Sequence, residues 1–201
     1  MCPRFADSRG FTLPEVLVAA VLTVLFFGMV FAVLIPGARS YVRGAVRADL
    51  SQQAALALKA LTEDLEATAP ALVGVTAQDR FPVILSMTRL AGVESSGERV
   101  WEDRVVLYCW DREKARLLRR EVEASLDPRR PRRLTDIEAA ALAAGSAREE
   151  RIMARDLDLF EVAPADPGPV EVRLRLQRSG AHQTKPEVVE LARKIEPSHS
   201  L

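Results

Sequence analysis

The hydrophobic and polar positions divide the chain into stretches of different period. Residues 16–38, VLVAAVLTVLFFGMVFAVLIPGA, hold no charged side chain. A helix of that length rises about 35 Å at ~1.5 Å per residue, slightly more than the ~30 Å hydrocarbon core of a bilayer. A cleavable secretory signal has an apolar region of about 7–15 residues, so this longer run reads as a retained transmembrane helix. Beyond Pro36-Gly37, Val46, Leu50, Ala54, Leu58, Leu61 and Leu65 recur at three- and four-residue steps. Arg47, Asp49, Lys59, Glu63, Asp64 and Glu66 interrupt them as polar positions. This spacing predicts an amphipathic helix to about residue 69, stopped by Pro70. Pro36 lacks an amide donor and is expected to kink or loosen the helix. Residues 12–67 are then one long bent helix, its first half in lipid and its second half on a soluble domain.

The remaining two-thirds carries strand patterns. Residues 81–90 and 104–110 are apolar, β-prone runs. The polar stretch Asp111-Arg112-Glu113-Lys114 separates the second from residues 115–122, which predicts a hairpin without an Asn-Gly or Asp-Gly turn. Residues 152–162 hold one or two strands. Val170, Val172, Leu174 and Leu176 alternate with polar residues and define one face of a strand. Residues 187–195 fit a helix and a strand equally. Residues 127–133 read as a polar, Pro-broken loop. Thr135-x-x-Glu138 is a capping box opening an Ala-rich helix, with Gly145 as its stop. Asp166-Pro167-Gly168-Pro169 is a turn, and residues 198–201 a frayed tail. The fold class is α+β: a long N-terminal helix laid on an antiparallel β-sheet.

Composition adds limits. The chain has 201 residues, 28 basic and 28 acidic, which balance to zero net charge. Such a balance points to neither nucleic acid nor an acidic substrate. Length suits one domain plus a membrane segment. The flanks of the apolar run carry Arg4 and Arg9 before it, with Asp7 in partial offset, and Arg39, Arg43 and Arg47 after it. Counted by the positive-inside rule, they weakly favour a cytoplasmic C-terminal side. Cys2 and Cys109 are the only cysteines.

At the start of the apolar run stands Gly10-Phe11-Thr12-Leu13-Pro14-Glu15, preceded by a short basic leader. The basic leader, the glycine before an aromatic, the glutamate at the fifth place after it and the uncharged span resemble the type IV prepilin signal. That signal is shared by type IV pilins and type II secretion pseudopilins, and FTLPE openings occur among minor pseudopilins. The match covers about the first thirty residues. The resemblance implies cleavage between Gly10 and Phe11 by a membrane aspartyl prepilin peptidase and methylation of Phe11. Glu15 would then pair in assembly with the cationic amine of a neighbouring subunit. Removal of the leader takes Cys2 with it.

The resemblance divides the chain into a leader (1–10), a transmembrane helix (11–38), its amphipathic continuation (39–69) and a β-rich pilin-like domain (70–201). It implies a single-pass protein of the bacterial inner membrane, with a cytoplasmic N-terminus and a periplasmic or extracellular C-terminal domain. This is the reverse of the positive-inside count. Other pilins or pseudopilins, an assembly platform and membrane lipid are the implied partners. The order of the later strands looks like minor pseudopilins of the J type or W-type minor pilins. Glu15 also has a local reading, in which Thr12-x-x-Glu15 is a capping box with Pro14 in the first turn. The two roles are compatible before and after assembly.

No catalytic constellation, metal-ligand spacing or phosphate loop occurs, and no cofactor is expected. The only histidines, His182 and His199, lie in polar sequence. Cys109, in an apolar strand, reads as a small core residue. Asp156, Asp158 and Glu161 alternate along a strand and read as a solvated edge before a cation site. Arg129, Arg130, Arg132 and Arg133, with Arg119 and Arg120 nearby, form a basic cluster. A solvated loop or a subunit contact is favoured there over DNA phosphates, since no aromatics interleave. The leading function is a non-enzymatic minor pseudopilin. The alternatives are a minor pilin for DNA uptake or adhesion, and a membrane-anchored enzyme or signal-anchor protein.

Overall fold

A computed structural model describes residues 12–76, 83–124, 126–164, 168–179 and 185–198. The Gly10–Phe11 junction, Cys2, His182, His199, residues 81–82 and the Asp166-Pro167 part of the expected turn lie outside them.

Helix α1 (Leu13–Glu66) is continuous for 54 residues and runs through Pro36. It ends three residues before the expected stop, because Ala67 to Ala69 leave the helix and Pro70 opens a short 3-10 turn, Pro70–Leu72. The chain forms two compact units, residues 1–45 and 46–201. In the first, the apolar side chains from Leu13 to Val42, the half-buried Val30 excepted, are exposed along the helix. A soluble fold does not leave such a run uncovered, and α1 is long and apolar enough to cross a membrane.

In the second unit, Leu50, Ala54, Ala57, Leu58, Leu61 and Leu65 are buried, one stripe of α1 at the helical period. Among the described residues eight strands follow: β1 (Gly74–Val75), β2 (Val83–Val93), β3 (Arg99–Asp111), β4 (Arg116–Glu123), β5 (Glu149–Arg155), β6 (Leu157–Pro164), β7 (Val170–Arg178) and β8 (Glu187–Ile195). They make a five-stranded sheet in the order β1-β2-β3-β4-β5 and a three-stranded sheet β6-β7-β8, with every pair antiparallel. The α1 stripe packs on both sheets. Leu85, Met87, Val106, Tyr108 and Leu117 come from the first, and Phe160, Val172, Leu174, Leu176 and Val189 from the second. The architecture is α+β, a long N-terminal helix whose C-terminal part lies on antiparallel sheets, and is consistent with a pilin-like fold.

The other face of the large sheet is covered as well. Ile84, Val105, Leu107, Cys109 and Val122 pack beneath Leu134 and Ala139, the latter on α2 (Asp136–Ala144). Burial on both faces explains why residues 105–110 are continuously apolar rather than alternating. The capping box of α2 is present: Thr135 Oγ1 accepts from the Glu138 amide, and Glu138 accepts from the Thr135 amide at 2.9 Å. Gly145 does end α2, in an extended conformation and not the left-handed one common at helix ends.

The open choice for residues 152–162 resolves into two strands in different sheets. The switch is Asp156, at φ 59°, whose carboxylate accepts from Arg178 Nε at 2.8 Å. Asn and Asp tolerate this left-handed conformation better than most residues. The segment 187–195 is a strand: β8 pairs along its length with β7, and Val189 and Ile195 are buried. Tertiary pairing decides what local periodicity leaves open.

Candidate functional site

The first candidate is the start of α1. The Thr12 amide donates to Glu15 Oε2 at 2.9 Å and the Thr12 hydroxyl donates to the same oxygen at 2.8 Å. The Val16 amide donates to Thr12 O at 3.2 Å and closes the first turn. Glu15 therefore satisfies one of the orphan amides at the helix start, the local role expected of it. Glu15 and the apolar residues from Val16 to Met29 are exposed. Gly10 and Phe11 precede the described residues.

The second candidate escaped the sequence reading. Asp64, in the last turn of α1, is buried at 5% exposure. Its Oδ2 accepts from Tyr108 Oη at 2.7 Å and from Arg119 Nε at 2.7 Å. Its Oδ1 accepts from Arg119 Nη2 at 3.1 Å and Arg89 Nη1 at 3.2 Å. Arg119 also meets Glu121 at 2.8 Å, and Arg89 meets Glu102 at 3.0 Å and Glu121 at 3.4 Å. One carboxylate of the helix is thus tied to three successive strands, β2, β3 and β4.

The sheet explains the placement. On the face toward α1, Leu85 and Met87 give way to Arg89 along β2, and Tyr108 stands opposite Arg119 across β3 and β4. Charged residues begin where the apolar stripe ends. Burial acts to raise the Asp64 pKa, but hydrogen bonds from Arg119 and Tyr108, with the field of both arginines, hold it below the ordinary carboxylate value. Burial and the Asp64 charge push the Tyr108 hydroxyl well up, so it remains a donor. Every member is matched by an opposite charge or a hydrogen bond. The cluster's chemistry is that of a structural latch between helix and sheet.

The basic cluster does not form one patch. Arg119 and Arg120 are neighbours on β4 and face opposite sides. Arg119 joins Asp64, while Arg120 donates to Ala143 O and, at 2.7 Å, to Gly145 O, fastening the end of α2. In the loop, Arg132 forms a two-pronged contact with Glu138 at 2.6 and 2.9 Å, and Arg129 reaches Glu94 at 3.3 Å.

Cys109 is buried, and burial pushes its thiol up to about 11, so it is an unreactive core residue. Asp156 pairs with Arg178 and Asp158 with Arg175, each at 2.7 Å. Among the described residues no group of three or more His, Cys, Asp or Glu side chains is placed to hold a metal ion. No family model matches the chain, and it has no match among curated proteins or solved structures.

Proposed function

We propose that this chain is a non-enzymatic minor pseudopilin, anchored in the membrane by α1 and assembled into a type II secretion pseudopilus or a type IV pilus. One observation carries the reading: a basic leader, Gly10, Phe11, Glu15 and an uncharged span of membrane length follow in that order. Cutting before the apolar run, after a residue with no Cβ to obstruct the peptidase, leaves the helix as an anchor. Support comes from the exposed apolar run of α1 and from the β-rich unit on which its C-terminal part packs.

Cleavage at Gly10 leaves a cationic amine on Phe11. An ionisable group at a membrane boundary is costly unless paired, which assigns Glu15 to the amine of a neighbouring subunit. Both Thr12 contacts fall on a single oxygen of Glu15. The local cap and the intermolecular pair therefore use different parts of one carboxylate.

Mass spectrometry of the chain co-expressed with a prepilin peptidase tests the processing. The expected mature N-terminus is N-methylated Phe11, and a retained Met1 or a start elsewhere overturns the proposal. Co-purification with partner pseudopilins tests assembly. Glu15→Gln is expected to reduce it at least about tenfold, as a lost charge-assisted contact does. Thr12→Val, which removes only the hydroxyl contact, leaves it intact. Equal recovery of Glu15→Gln and parent refutes the pairing.

A further inference from the structure

The loop 127–133 folds against the tip of the β2–β3 hairpin. The Trp101 amide donates to Pro128 O at 3.0 Å and Arg129 Nη2 to Glu94 Oε1 at 3.3 Å. The loop is braced internally as well: the Arg129 amide donates to Asp127 Oδ1 at 2.9 Å and the Arg130 amide to Asp127 O at 3.0 Å. Between loop and hairpin lies an open cleft of about 560 Å³. That size suits a small ligand or a few peptide residues.

Arg99, Arg129 and Arg130 line the cleft, against the single carboxylate of Glu98. Arg129 shares its charge with Glu94, whereas the exposed Arg130 guanidinium has no ion-pair partner among the described residues. Gly97, at φ 85°, makes the turn of the hairpin tip and places no side chain in the opening. The cleft thus presents planar, bidentate donors on a braced backbone, with the Arg130 guanidinium available to a ligand.

We propose that this cleft docks an acidic peptide segment of a partner protein, with Arg130 and Arg129 taking its carboxylates. Guanidinium groups match carboxylates in a two-pronged geometry, the one Arg132 and Glu138 already adopt beside the cleft. A nucleic acid fits less well. Trp101, the aromatic residue of the cleft, is 3% exposed and offers no face for base stacking.

The test uses the full chain in detergent micelles and fluorescence anisotropy. The probes are a short labelled Asp/Glu peptide, its Asn/Gln counterpart and a labelled thymidine strand. The acidic peptide is expected to bind saturably and to weaken with added salt, and the Asn/Gln peptide not to bind. Arg130→Gln is expected to weaken binding about tenfold and Arg130→Glu to abolish it, while Arg173→Gln on β7 changes nothing. Absence of saturable binding, or equal binding by parent and Arg130→Glu, overturns the proposal. Tighter binding of the thymidine strand than of the acidic peptide overturns it in favour of nucleic acid.

Discussion

Replacing Asp64 by Asn tests whether the buried cluster holds the helix to the sheet. The substitution keeps the shape and removes the charge. Asn retains one acceptor oxygen, and its amide then faces N–H or O–H groups that need an acceptor. The affected donors are Tyr108 Oη and Arg119 Nε, both at 2.7 Å, Arg119 Nη2 at 3.1 Å and Arg89 Nη1 at 3.2 Å. Breaking one side of a buried ion pair costs about 3–5 kcal/mol. Glu121 and Glu102 remain to answer the arginines, which puts the expected loss at the lower end, about 3 kcal/mol. With a urea slope of about 1.5 kcal/mol per molar, the unfolding midpoint falls by about 2 M. Trp101 and Trp110, the two tryptophans of the chain, are buried on β3, so their fluorescence follows the β-rich unit. A compensated variant, Asp64→Leu with Tyr108→Phe and Arg119→Met, removes Asp64 with two of its three partners, leaves Arg89 paired to Glu102 and Glu121, and is expected to recover part of the loss. The acid limb has a definite sign. The folded-state pKa of Asp64 lies below 3.8, so its charge contributes fully above that pH and the contribution is lost as pH falls through the lowered value. The gap between parent and Asp64→Asn must therefore narrow in strong acid. A midpoint shift below about 0.3 M, or no coupling between Asp64→Asn and Arg119→Met in a double-mutant cycle, refutes the reasoning.

Two further outcomes follow from the packing. In a Cys2→Ser chain, Cys109 is expected to stay unlabelled by a thiol reagent at neutral pH until the protein unfolds, because it is 7% exposed and its thiol is raised to about 11; rapid labelling in the folded state contradicts a core position. Gly74→Ala places a Cβ 2.5 Å from Ser86 Oγ and is expected to cost about 1–2 kcal/mol in urea unfolding. Adding Ser86→Ala removes the clash and brings the midpoint back toward the parent; no recovery in the double variant assigns the loss to another cause.

The amino-acid sequence alone determined the elements whose signals are local. The uncharged run, the six-residue stripe from Val46 to Leu65, the capping box at Thr135 and the alternation from Val170 to Leu176 each carry their own period or cap. A helix or strand face must match its period to be buried, so the pattern is visible before folding. The Thr12–Glu15 contact was legible for the same reason, since its partners are one turn apart. Only the tertiary structure decided how residues 149–164 divide between two sheets, that 187–195 is a strand, and that Arg119 and Arg120 belong to no common basic patch. It also decided the fate of Asp64, which by pattern is another polar interruption on the helix. Its partners Arg89, Tyr108 and Arg119 lie 25, 44 and 55 residues away. A charge is stable in a core only where opposite charges and donors converge on it, and that convergence comes from strand register, not from any local period.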